Sequence, residues 1–154
     1  MNKNIKYFPR LRYTMYFILF VLFIAACNDP CETLFTEVKT TYIKQNSNVK
    51  IVDLKVVFPI NWDEFYMFES YMNRQNIFEV IGTDCDCETV QEGERLFLFL
   101  EKGRIVSSSY GATCNKIIFS GQYNGTGFFR ISDTAAVFSI IKGTDGIFLL
   151  KPFK

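Results

Sequence analysis

A chain of 154 residues has room for one domain with a real core, and its 17 basic against 16 acidic side chains leave a surplus of a single positive charge, too little to hold a nucleic acid. It contains no histidine. That absence excludes Ser-His-Asp and Cys-His catalysis, imidazole acid–base chemistry and most zinc and non-haem iron ligand sets.

Residues 1–12 carry Lys3, Lys6, Arg10 and Arg12 and no acid, and residues 13–26 are uncharged and largely apolar, ending in Ala25-Ala26 before Cys27. Basic, then apolar, then small is the order of an export signal. An apolar run of 14 residues is shorter than the ~20 that a membrane-crossing helix needs. Ile24-Ala25-Ala26-Cys27 resembles the lipobox of bacterial lipoproteins. The resemblance implies that the Cys27 thiol receives a diacylglycerol, that the chain is cut just before it, and that the new amine is acylated. Buried methylenes contribute ~0.8 kcal/mol each, and anchoring becomes stable with two or more chains. An ordinary secretory leader followed by a chance cysteine is the alternative. The expected organisation is a signal peptide over 1–26, a lipidated tether over 27–34 and a single globular domain over 35–154. The part from Cys27 onward has 128 residues with 13 basic and 16 acidic side chains, a net charge of −3. Its membrane affinity must therefore come from acyl chains rather than from attraction to anionic headgroups.

Further along, residues 35–44 are rich in Thr, Val, Tyr and Ile, and 49–58 alternates Val52, Leu54, Val56 and Phe58 against Asp53 and Lys55. Both runs predict strands, with a turn at Asn46-Ser47-Asn48. The run 61–71 fits either period: Asn61 and Glu64 make a capping box ahead of Phe65, Phe68 and Met72, or Trp62, Tyr66 and Phe68 alternate as a strand. Trp62, Asp63, Tyr66, Phe68 and Tyr71 are similar to a Trp-Asp-x-x-Tyr-x-Phe-x-x-Tyr signature of small uncharacterised bacterial lipoproteins. That resemblance implies a strand followed by a short helix ending in Gly, here Gly82, and it implies no activity. Glu69-Ser70 departs from the Gly-Pro usual there. From Arg95 the chain reads as β: a continuous apolar strand over 96–100 buried on both faces, a Lys102-Gly103 turn into 104–110, strands 116–120 and 128–132 flanking an Asn124-Gly125 turn, and a hairpin of 136–142 with 147–151. The fold class is α+β, mostly antiparallel β with about eight strands and one short helix.

With Cys27 lipidated, Cys31, Cys85, Cys87 and Cys114 remain, an even number that favours disulfides in an exported chain. Two residues apart on a strand, Cys85 and Cys87 would sit about 7 Å apart, beyond the usual bridging range. The expected pairings are Cys31–Cys85 with Cys87–Cys114, or Cys31–Cys87 with Cys85–Cys114. The acidic run Asp84-Cys85-Asp86-Cys87-Glu88 also offers thiolates and carboxylates, but Cys-x-Cys spacing and an oxidising compartment argue against a metal site.

Ser47-x-x-Lys50 and Ser139-x-x-Lys142 match an acylation motif that needs a helix start, and in a strand their side chains diverge. Asp133-Thr134-Ala135 resembles a Thr-glycosylation site of exported proteins of some Gram-negative anaerobes, and reads more simply as a turn with an Asx-type hydrogen bond. Together these features predict a lipid-anchored protein of the cell or outer membrane, its domain facing periplasm or exterior. The expected function is non-catalytic binding of an envelope protein or component, with no cofactor, metal or nucleic acid. The alternatives are a small-ligand carrier with an apolar pocket between sheet and helix and, more distantly, a hydrolase using Asp63/Glu64 or Asp84/Asp86/Glu88 as paired carboxylates.

Overall fold

The computed structural model describes residues 29–112, 114–121 and 127–153. The leader and Cys27, and the Asn124-Gly125 turn, lie outside the described residues. The first element is helix α1, Pro30–Lys44. Asp29 caps it, its Oδ1 accepting from the Cys31 N–H at 2.7 Å, and Pro30 occupies the first turn. Cys31, Leu34 and Val38 are buried at steps of three and four, a helical stripe that packs into the core. This corrects two expectations at once. Residues 30–34 are not a tether, and 35–44 is not a strand. Thr and Val disfavour helix by only tenths of a kcal/mol each, while a cap contributes about 1 kcal/mol and the buried stripe more.

Strand β1 is short, Ile51–Asp53, because the Asp53 carboxylate accepts from the Lys55 N–H at 2.8 Å and starts the one-turn helix α2, Leu54–Val57. The alternation over 49–58 therefore ends as a strand at Asp53. Next come β2 (Glu64–Phe68) and helix α3 (Arg74–Ile81), capped by Asn73 and ended by Gly82 at φ 70°. This is the strand-then-helix order expected for the Trp62 signature. β3 (Arg95–Glu101) and β4 (Arg104–Gly111) form a hairpin across Lys102 and Gly103, both at positive φ (52° and 72°). After them come β5 (Ile117–Phe119), β6 (Phe128–Ser132), β7 (Val137–Lys142) and β8 (Phe148–Pro152).

The strands make two four-stranded sheets, β1-β7-β8-β5 and β4-β3-β2-β6. Among the described residues all pairings are antiparallel except β5 with β8. The fold is α+β with eight strands among the described residues, as the sequence predicts. The strands flanking Asn124-Gly125 do not pair with each other: β5 joins the first sheet and β6 the second. The hairpin of β7 and β8 is present, in register from Phe138↔Pro152 to Lys142↔Phe148.

Alternate residues of β2 and β3 face two separate cores. Phe65, Met67, Phe97 and Phe99 point toward the first sheet and α1, where they meet Trp62, Phe119 and Phe138. Tyr66, Phe68, Leu96, Leu98 and Leu100 point the other way, under Ile77 of α3 and the loop carrying Cys85, Cys87 and Val90. This is why 96–100 reads as a continuous apolar run. Gly111 admits the start of α1: a Cβ there would lie 2.5 Å from the Cys31 sulfur and 2.6 Å from Asp29 Oδ1. Asp29 Oδ2 also accepts from the Ala112 N–H at 3.2 Å, so one carboxylate both caps the helix and ties it to the end of β4.

Phe65 is fully buried, with ring centroids of Phe97 and Phe99 at 5.4 and 5.0 Å. Truncating such a residue removes its transfer energy and leaves a cavity. Phe65→Ala should lower the unfolding free energy by roughly 3–5 kcal/mol, read from the midpoint of a urea titration at unchanged m-value. A loss below about 1 kcal/mol would mean that the two-faced packing of β2 is wrongly placed.

Candidate functional site

The Trp62 signature is a structural clasp. Trp62 is buried against Phe65 and Phe99, and Lys55 reaches across its ring at 4.2 Å and donates to its carbonyl. Asp63 Oδ2 accepts from the Lys102 N–H at 2.7 Å, pinning the tip of the β3–β4 hairpin. Its backbone joins Leu100 on one side and Asp133 on the other, while Oδ1 is buried without a hydrogen-bond partner among the described residues. The Tyr66 hydroxyl donates to Glu64 Oε2 at 3.1 Å, and Arg130 pairs with the other Glu64 oxygen while lying over the Tyr66 ring. Burial, and then the Glu64 charge, push the Tyr66 phenol above its ordinary pKa. Phe68 lies in the second core. Tyr71 is exposed at φ 72°, its N–H on Val90 O at 2.7 Å. The five residues hold strands and turns together.

Cys85 and Cys87 are bonded to each other, with Cα atoms 5.1 Å apart. The expected pairing of each with Cys31 or Cys114 is therefore corrected. The elimination rested on strand spacing, but residues 83–90 form a loop whose contracted backbone brings the two Cα atoms inside bridging range. Their sulfurs are buried in the second core and leave no thiolate there to bind a metal. Cys31 is also disulfide-bonded, to a partner outside the described side chains. Cys114 opens a 3₁₀ turn, Cys114–Lys116, ahead of β5.

Three of the candidate carboxylates, Asp63, Glu64 and Asp84, are engaged by structural partners. Glu64 and Asp63 are held as above, and Asp84 forms a two-point pair with Arg74 at 3.0 and 2.6 Å. Asp133 sits 3.9 Å from Lys55, so its carboxylate goes to that ammonium rather than to an Asx-type bond, although Asp133–Ala135 is the expected turn. Thr134 is exposed there, 3.0 Å from the Ser132 hydroxyl. Ser139 donates to the Lys151 carbonyl across the hairpin, and Lys142 lies at a different place, on a cleft.

That cleft runs between α1 and the β5–β8 end of the first sheet. One chamber, of about 310 Å³, is lined by Phe35, Lys39, Tyr42, Ile43, Lys116, Lys142, Gly146 and Phe148. A second of about 340 Å³ adjoins it through Phe35 and Lys116 and adds Glu32 and Asn115. Its floor is aromatic: the Phe148 ring stands 5.9 Å from Phe35 and 5.6 Å from Tyr42. Lys116 lies 5.3 Å over the Phe35 ring. Lys39, Lys116 and Lys142 come from three different elements, and none forms an ion pair among the described residues. Sequence reasoning missed this site. Once α1 is a helix, Phe35, Lys39, Tyr42 and Ile43 fall on one face by their spacing; Lys116, Lys142 and Phe148 arrive only through the topology. A further hollow at Glu101, Lys102 and Arg104 has charged walls and no apolar floor.

Hydrogen bonding to Arg74 holds the Asp84 carboxyl below the ordinary aspartate range. A lowered folded-state pKa means the pair's contribution is present above the unfolded pKa and is lost as pH falls through the folded one. Both side chains are exposed, so that contribution is small and salt-sensitive. An NMR titration should place the Asp84 midpoint below that of an unpaired aspartate, and Arg74→Ala should raise it; an unmoved midpoint would mean the pair does not form in solution.

No protein-family model, curated protein or solved structure matches this chain.

Proposed function

We propose that this chain is an exported lipoprotein, anchored through Cys27, whose β-rich domain binds a component of the cell envelope without turnover. The single observation that carries the binding half is the cleft beside α1, an aromatic floor with three lysine ammoniums around it that no carboxylate neutralises by an ion pair among the described residues. Sites that hold small molecules combine an apolar lining with a few converging polar groups in volumes of roughly 300–1,000 Å³. By that measure the bound component is a small molecule rather than a protein surface, and the carrier reading and the envelope-binding reading merge. The anchoring half is supported by the order of residues 1–27: four basic side chains, an uncharged apolar run, Ala-Ala, Cys.

Labelled palmitate fed to producing cells should label the protein, and Cys27→Ser should abolish the label and move the protein from the membrane fraction to the soluble one. A wild-type protein that stays unlabelled and soluble would sink the anchor.

A further inference from the structure

We infer that the cleft beside α1 takes a single-chain anionic amphiphile, a phosphate or carboxylate head on one acyl chain, drawn from the membrane to which the protein is anchored. The inference rests on the lipoprotein reading above for the source of the ligand, and on the cleft itself for its chemistry. Its sign comes from charge. The part of the chain from Cys27 onward carries a net −3, yet the chamber of about 310 Å³ has Lys39, Lys116 and Lys142 around it. Three elements bring cations to one place on a mildly acidic protein, and low-dielectric walls focus their field on an anion. Glu32 is the one carboxylate among the described lining residues, and it belongs to the adjoining chamber.

The apolar half comes from shape. Phe35, Tyr42 and Phe148 form a continuous floor, and Ile43 is 68 % exposed at its far end. The lining of the two chambers extends along α1 from Glu32 to Ile43, about 16 Å at the helical rise. A groove of that length, half open and aromatic, fits an extended chain better than a compact anion, for which the floor would serve no purpose. Position supplies the rest. Pro30 begins α1, so two residues, Asn28 and Asp29, lie between Cys27 and the helix along which the cleft runs, a reach of about 10 Å at full extension. A lipid at Cys27 would hold the Glu32 end of the groove close to the headgroups.

The test uses the full chain, expressed with its leader and placed in phosphatidylcholine nanodiscs, with a diazirine-bearing dodecyl phosphate as the photoaffinity probe. Adducts are expected on residues 35–43 and 142–148, competed by excess dodecyl phosphate but neither by dodecanol nor by inorganic phosphate. Lys39→Glu with Lys142→Glu, both exposed positions, should cut the adduct yield at least tenfold at an unchanged melting temperature. Ile43→Asp, a second exposed change, should lower it independently. Adducts spread over other surfaces, an undiminished yield in the charge-reversed variant, or equal competition by dodecanol would overturn the proposal. So would equal competition by inorganic phosphate, which would make the site an ion site without a chain. Loss of adducts with rising protein concentration would assign the groove to a second copy instead. Adducts in the cleft of a chain whose Cys27 takes no palmitate would keep the amphiphile and remove only its membrane source.

Discussion

The whole domain is arranged around two strands that have to be dry on both faces. β2 and β3 put Phe and Met side chains on one side and Leu, Phe and Tyr on the other, so neither face tolerates water. A single covering layer would leave half of that apolar surface exposed. The first sheet with α1 supplies one cover, and α3 with its cysteine loop supplies the second. Each peripheral element can be read as an answer to this requirement. The Cys85–Cys87 bond follows the same logic, since it lies within the second cover and joins no distant parts of the chain. A bridge that closes so short a loop removes little chain entropy; its effect is on the local shape of the lid.

How much of this was readable from the sequence depended on whether a segment's local signals agreed. β3 was legible because an unbroken run over 96–100 has few other homes, and the Lys102-Gly103 turn marks its end. The β7–β8 hairpin was legible from the two neighbouring strand-like runs 136–142 and 147–151. α1 was not, because Thr and Val spoke for strand while Asp29, Pro30 and the spacing of Cys31, Leu34 and Val38 spoke for helix; burial decided between them. The pairing of Cys85 with Cys87 was hidden for a related reason, since strand spacing was carried into a loop. The parting of β5 from β6 depended on which sheet edge was free, a property of the assembled chain and of no local pattern.

The cleft belongs to that last kind. Its helical wall follows from a periodicity once the helix is recognised, whereas its opposite wall is brought by β5 and β8. The conspicuous residues of the sequence, the Trp62 signature and the acidic cysteine loop, turn out to hold the fold together. Of the lysines around the cleft only Lys142 falls in a sequence motif, Ser139-x-x-Lys142, and that motif points to different chemistry. In a chain without histidine, recognition by ammonium groups over aromatic rings is chemistry that remains open, and it is governed by placement rather than by residue identity.

The parallel pairing of β5 with β8 also bears on how the molecule is made. β8, residues 148–152, sits inside its sheet between β7 and β5, and among the described residues β5 has no other strand neighbour there. As the chain emerges residue by residue, from ribosome or pore, β5 waits about thirty residues for β8, and Phe119 and Ile117 wait with it. Closure of that sheet is thus a late event, and until it happens the nascent protein presents a ragged, sticky edge to whatever chaperone or protease is nearby.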